Sequence, residues 1–540
     1  LRLPFGGGFL CGHKRIKMKK AVLMLAGIIS CNATAQQIEE IQVIGQSTTS
    51  TQVDVNQHFT INEALLPTVI YTPGGIGGFA SYNERGAQTI HTAVYKNGVP
   101  ANDPSNGWYD FAHDTATGNE TVTVMNGPNG VLYGSGSLGG TVFLNDSIGE
   151  QTTVRLGSKD HYMVSSSLGN VINFNGITTS NGSVRSDNTE EDSYRNIGVK
   201  TMFDVGNFTV SGNASDYSYD YDDCWTASWL QTNDCVQQGQ RLNLSARNDN
   251  LTVGYNRTDS EYFSGIDKTW ESTGERYFVD LHDTTKFDFS PGVYTYGVQY
   301  ENEKYAGESR DVTSAYVLGN FDNRYSIGVR YNKFQSTARA GFTYKDFRGS
   351  VGTSYRLPTL YEINGDSWVA ANSSLEPEKA TGVELGYKFI DVYRYEFKQG
   401  IDYDFTANQF VNTGEYVTQG VRFNKSFNLL YGLGKLGIFG GYTDTTVPRV
   451  PKYKTAISYS QNFPGLWETS IRWVTQYDKG VDYMGTKIDD VNTFEYVASR
   501  PISKHFTFSL LIQDVFDNNF EIVPGYNAGG RRVYLTINYK

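Results

Sequence analysis

Residues 121–144 read TVTVMNGPNGVLYGSGSLGGTVFL, and the fold turns on what this stretch is. Its centre, Gly127 to Gly140, is dense in glycine and lies between two short apolar runs. It contains Gly134-x-Gly136-x-x-Gly139, the spacing of a dinucleotide-binding turn. That motif needs a following helix whose N-terminus receives the phosphates. Here Gly140-Thr141-Val142-Phe143-Leu144 follows, a β-branched run with no cap and no helical period. Nucleotide binding is therefore set aside, and the glycines are read as allowing positive φ angles or close backbone contact. The stretch divides the chain into two unlike parts, and it is expected to be the hinge where one passes into the other.

After Ser147 the sequence takes a period of two. Tyr325, Ile327, Val329 and Tyr331 share one face of a strand, as do Phe506, Phe508, Leu510 and Ile512, and Val533, Leu535, Ile537 and Tyr539. The opposite faces carry Ser, Thr, Asn, Gln and Arg together with some apolar residues. Side chains alternate across a strand, so one face can meet lipid and the other a polar lumen. A soluble sandwich would share the alternation, but with shorter strands and less tyrosine. Composition agrees: 38 Tyr and 30 Phe, 57 Gly against 14 Pro, and only 19% charged residues. Tyrosine at strand ends suits a bilayer interface. Mean hydropathy is -0.43, and the one strongly apolar segment, Ala21 to Ser30, is too short to span a bilayer as a helix. The residues after 147 allow about 16–22 spanning strands at about 9–11 residues each. The sheet must close, because every backbone polar group facing lipid has to be paired.

Ahead of the glycine stretch lies an export signal. Met18-Lys19-Lys20, the apolar core to Ser30, and the small-x-small site Ala33-Thr34-Ala35 place the mature start at Gln36. Residues 1–17 stand upstream of a complete signal and are read as a start codon placed too early. Ile28-Ile29-Ser30-Cys31 offers the alternative of a lipoprotein box that would lipidate Cys31. Residues 1–35 hold six Lys and Arg and no acid, so the net charge of -11 becomes -17 once they are removed. Such acidity argues against nucleic acid as a partner. In an oxidising compartment Cys224 and Cys235 are expected to form one disulfide, with two free thiols as the alternative.

Residues 36–50 read QQIEEIQVIGQSTTS. Ile38, Glu39, Glu40, Ile41, Gln42, Val43 and Ile44 alternate apolar and polar, then give way to a Ser/Thr leash. A lone strand of this kind can add itself to another protein's sheet edge, or simply fray. Asn62 to Val69 reads as one or two helical turns, Ile90 to Tyr95 and Thr121 to Met125 as short strands, with long glycine loops between them.

These pieces resemble a known family in its own order. Residues 121–144 look like the end of the plug domain of TonB-dependent outer-membrane receptors. Arg85-Gly86 followed by Val94-Tyr95-Lys96-Asn97-Gly98-Val99-Pro100 resembles two further plug segments, and Ile38 to Gly45 resembles the TonB box. In the second part, Ser354 to Glu362 with Asn372 to Lys379 and Gly382 to Gly386 resembles a barrel signature, and Asp514 to Lys540 resembles the C-terminal ending. The C-terminal half looks most like the cobalamin receptor. The resemblance implies an all-β membrane protein: an antiparallel barrel of 22 strands over 148–540, occluded by a plug at 51–147, with the box and linker at 36–50. It implies a monomer in the bacterial outer membrane and its lipid, the TonB protein as partner, and no catalysis. The ligand would be a large scarce nutrient of the cobalamin or iron–siderophore class, actively transported. A passive porin or surface-binding barrel is the alternative.

The sequence departs from the family at two places. Asn126 stands where an arginine usually precedes the Gly-Pro, which leaves Arg85, with Glu384 as its implied partner, to lock the plug and suggests a plug held by few ion pairs. Lys540 rather than an aromatic residue is last. Phe79, Tyr82, Asn102, Asp103, Asn106, Trp108 and Tyr109 lie in loops that by resemblance point outward, and they are candidates to hold a ligand or to pack on the wall. Asp220, Asp222 and Asp223 could contribute to a calcium site, since calcium takes several carboxylate oxygens. The absence of a correctly placed glycine favours a solvated acidic loop, and no cofactor is expected.

Overall fold

The computed structural model describes residues 50–53, 69–71, 76–82, 85–117, 119–182, 185, 191–226, 228, 230–287, 292–429, 432, 434–463, 467–482, 485–527 and 530–540. The export signal, Cys31 and the box at 38–44 lie outside them, as does the helical segment expected over Asn62 to Val69 except for Val69, which begins the short strand Val69–Tyr71 instead.

Twenty-two antiparallel strands close into a barrel, the last, Arg532–Tyr539, pairing with the first, Thr152–Gly157. The period of two sets its faces. Along Tyr325–Asn332, Tyr325, Ile327, Val329 and Tyr331 are exposed on the outside, while Gly328, Arg330 and Asn332 are buried in the lumen. Val533, Leu535, Ile537 and Tyr539 likewise face out around buried Tyr534 and Thr536. The alternation is weaker along Phe506–Gln513, where Leu511 points inward and joins Met163, Tyr194, Tyr217, Val497 and Tyr534 in an apolar cluster inside the wall.

Connections on the rim where Thr152 begins and Tyr539 ends run from two to six residues, whereas the other rim carries the long loops 357–377 and 399–415. Short turns mark the periplasmic side of such barrels and long loops the extracellular side. The outer loop at 222–234 is tied by a disulfide between Cys224 and Cys235.

The lumen is filled by a small domain. Its five-stranded sheet runs in the order Ser50–Val53, Thr121–Asn126, Gly140–Asn145, Thr92–Lys96, Val99–Pro100, with Thr92–Lys96 parallel to Gly140–Asn145. Strand residues Val94, Val122, Val124, Val142 and Leu144 supply a core with Tyr82, Tyr109 and Phe111. The expected strand at Ile90 begins two residues late, because Thr89–His91 forms a turn of 3-10 helix.

The glycine stretch is not the hinge into the barrel. Asn126 pairs directly with Gly140, so residues 127–139 are an excursion between two neighbouring plug strands, and the chain crosses into the barrel only after Asn145. The excursion carries one helical turn, Gly130–Tyr133, pressed on the wall. A Cβ at Gly130 would lie 2.8 Å from the Cα of Ser354, which explains a glycine there. The wall reciprocates at Gly382, where a Cβ would come within 2.5 Å of the Pro128 ring. Gly382→Val should therefore unseat the loop at a cost of about 1–3 kcal/mol, while a β-branched residue suits the strand itself. The expected result is plug cleavage by protease at a lower temperature, with the melting of the barrel unchanged.

Candidate functional site

Two features of the lumen matter for function: how the plug is held, and what it shows to the outside. Arg85 and Glu384, which only the resemblance had paired, meet at 2.8 Å between Nη1 and Oε1, both buried. The Tyr395 hydroxyl bridges them, accepting from Arg85 and donating to Glu384. The guanidinium lies 4.8 Å from the Tyr393 ring centre, and the Arg85 carbonyl accepts from the Thr418 hydroxyl at 2.7 Å. A charge buried this deeply needs its partner, since removing either leaves the other desolvated and unpaired.

A second contact was invisible in the sequence. His91 of the plug lies with Nε2 3.1 Å from Glu378 and Nδ1 3.1 Å from the Tyr416 hydroxyl, and its ring stacks on Phe397. Glu378 also takes Arg356, and Arg356 reaches Glu362 at 2.8 Å. Glu362 in turn closes a capping box with Thr359 on the short helix Leu360–Asn364 of the outer loop. Arg356, Thr359, Glu362 and Glu378, all within the signature segments, thus join the plug to a loop on the outer rim.

Further hold comes from wall cations, several of them aimed at plug carbonyls. Arg330 donates to Val131 and Leu132 at the end of the helical turn, at 3.0 and 3.1 Å. Cations suit that end, where carbonyls lack helical partners. Arg339 donates to Pro128 and the Asn129 side chain, Arg276 to Asn102, and Arg241 to Asp110. Lys200 pairs with Glu120 at 2.5 Å and Asp146 at 3.2 Å. Burial opposes the charge of Asp146, yet Lys200 and Lys96 hold its carboxyl well below the usual range. The absence of an arginine at 126 therefore does not leave the plug on one ion pair: the cations beside the glycine loop come from the wall.

Of the seven residues proposed for the ligand, three stand at the accessible tip. The Phe79 and Trp108 rings are 5.3 Å apart, Trp108 is 44% exposed, and Asn106 accepts from the Trp108 backbone N–H at 2.9 Å. The other four build the support beneath. Asn102 accepts from Val94 and donates to Thr92, Asp103 takes both the backbone N–H and hydroxyl of Ser105, Tyr109 donates to Asp114, and Tyr82 lies in the plug core. Between tip and wall remains a cavity of about 50 Å³, lined by Asp103, Arg276, Glu301 and Arg310 among others, with room for a few waters.

Above the tip, Tyr361 donates its backbone N–H to Ser105 at 3.3 Å. From Tyr361 a chain of rings climbs through Phe410 and Tyr403 to Phe405, with centres 5.8, 5.5 and 5.0 Å apart. Phe405 is 86% exposed at the tip of its hairpin, and Trp368 is 56% exposed nearby in the fold of the same loops. These aromatics lie on two loops and have no sequence spacing that would have grouped them.

The candidate calcium ligands do not come together. Asp220 accepts from Ser193, Asp223 pairs with Arg185 and accepts from Tyr526, and Asp222 is buried. Among the described residues no group of three or more His, Cys, Asp or Glu is placed to hold a metal ion. Asp223 is thus taken up by two other loops and Asp220 by the neighbouring strand.

A family model described as the TonB-dependent receptor-like β-barrel matches residues 44–515. Among solved structures, the siderophore receptor PiuA from Acinetobacter baumannii is similar at 14% identity, covering 94% of this chain and 99% of that one, with a TM-score of 0.71. The siderophore receptor PirA from the same organism gives 14% identity over 92% of this chain and 98% of that one, TM-score 0.67. A variant of the ferric enterobactin receptor PfeA from Pseudomonas aeruginosa gives 13% identity over 94% and 100%, TM-score 0.67. These likenesses establish the shared fold. With the family match running over most of the chain and a closed barrel around a wall-bound plug, the chain belongs to the TonB-dependent receptors of the bacterial outer membrane.

Proposed function

We propose that this receptor binds a metal chelate of the iron–siderophore class at its outer mouth and carries it inward when the TonB protein pulls on the box at Ile38–Ile44. The observation that carries this reading is the plug itself. It contacts the wall through Arg85, His91 and the glycine loop, so a ligand at the Phe79–Trp108 tip cannot cross unless the plug moves. Its holds are polar and individually breakable. The box leads in sequence to Ser50–Val53, a strand that among the described residues lies at the sheet edge and pairs with Thr121–Asn126, which continues into the glycine loop. A pull on the box reaches, in that order, one strand ladder and then the contacts to Arg330 and Arg339.

The names of the structural relatives favour a siderophore complex, while the likeness of the C-terminal half to the cobalamin receptor supports a corrinoid as the second reading. Both differ from a passive porin, which has no use for a plug. Expression in a host lacking its own receptors separates them. Growth on ferric chelates as sole iron source, lost when TonB is deleted, is the expected result. Rescue by cobalamin alone would replace the ligand class, and rescue independent of TonB would overturn energised uptake.

A further inference from the structure

The two rims of the barrel differ sharply in charge. Among the described residues, the eleven connections on the long-loop rim carry 18 Asp and Glu against 8 Lys and Arg, a net of -10. The ten turns on the opposite rim carry 3 acids against 4 bases. Acid is thus concentrated on the side from which a ligand arrives.

The arginines around the plug tip do not offset this. Arg276 is taken by Glu303 and the Asn102 carbonyl, Arg310 by Glu303 and the Pro358 carbonyl, Arg356 by Glu362 and Glu378, and Arg241 by the Asp110 carbonyl. These four arginines beside the plug tip are thus already committed inside the protein. What the mouth presents instead is aromatic: Trp108, Trp368 and Phe405 are exposed there. Ring faces carry negative electrostatic potential and attract cations. An acidic rim raises the local concentration of cations and repels anions over a Debye length of about 8 Å at physiological salt.

We infer that the ligand is a metal chelate of zero or positive net charge with apolar surface, drawn in by the acidic loops and seated on exposed rings, and not a polyanionic chelate. This rests on the uptake reading above. The test is binding to the purified full-length receptor in detergent, read by quenching of tryptophan fluorescence. The probes are a ferric trihydroxamate whose pendant amine is left free, acetylated or succinylated, which makes it cationic, neutral or anionic around one metal centre, together with a ferric tris-catecholate and a corrinoid. The expected result is association about tenfold faster for the cationic than for the anionic trihydroxamate, a gap that closes at about 0.5 M salt. A variant with Asp402→Asn, Asp404→Asn and Glu415→Gln on loop 399–415 should narrow the gap, the amides keeping the acceptor oxygens that Asp402 and Asp404 give to their turns. Should that variant fail to fold, the wild-type series alone decides. Equal rates across the series, or tightest binding of the succinylated or tris-catecholate probe, would overturn the inference and leave uptake standing. Binding of no probe at about 100 μM would overturn the uptake reading and the inference with it.

Discussion

Arg85→Met should turn a sealed barrel into a leaking one. The substitution leaves Glu384 buried in the wall, still accepting from the Tyr395 hydroxyl but without the guanidinium that lies 2.8 Å away in the wild type. Breaking a buried pair from one side costs about 3–5 kcal/mol, which corresponds to at least about a hundredfold shift toward a displaced plug. Glu384→Gln should behave similarly, since it strands the guanidinium beside Tyr393. The double variant Arg85→Met with Glu384→Leu removes both charges and should recover most of the loss, because the desolvation penalty goes with them. Conductance in planar bilayers and cellular sensitivity to antibiotics too large for general pores would register the difference. Single variants as tight as the wild type would show that the pair is not a lock and that the wall cations on the glycine loop suffice.

How much of this could be read beforehand depends on the range of the interaction. The alternation along Tyr325–Asn332 was legible because a period of two fixes which face each residue takes, whatever the rest of the chain does. The Arg85–Glu384 pair came through family resemblance, not from any pattern in the residues themselves. His91 with Glu378, and Arg330 or Arg339 with the glycine loop, join positions roughly two to three hundred residues apart, and nothing local marks them. The glycine stretch was misplaced for the same reason. Its composition shows a chain that must turn tightly beside something, but only the pairing of Asn126 with Gly140 shows that it returns to the plug before crossing. Asp223 looked free for a cation because Arg185 and Tyr526, which hold it, belong to other loops.

The second large effect concerns the box at Ile38–Ile44, which on the proposed function is where the TonB protein takes hold. Ile41→Pro removes a backbone donor from the middle of the alternating segment and is poorly tolerated in a paired strand. If the segment is captured as an added strand, the substitution uncouples the receptor without touching its outer face. Nothing at the Phe79–Trp108 tip or on loops 357–377 and 399–415 would change, so the ligand should still bind.

Uptake and surface binding of one radiolabelled chelate, measured side by side in cells carrying the wild type or Ile41→Pro, test the central claim most directly. The account requires energised uptake to fall to the level of cells lacking TonB while surface binding stays at the wild-type level. Uptake by Ile41→Pro equal to that of the wild type would contradict it.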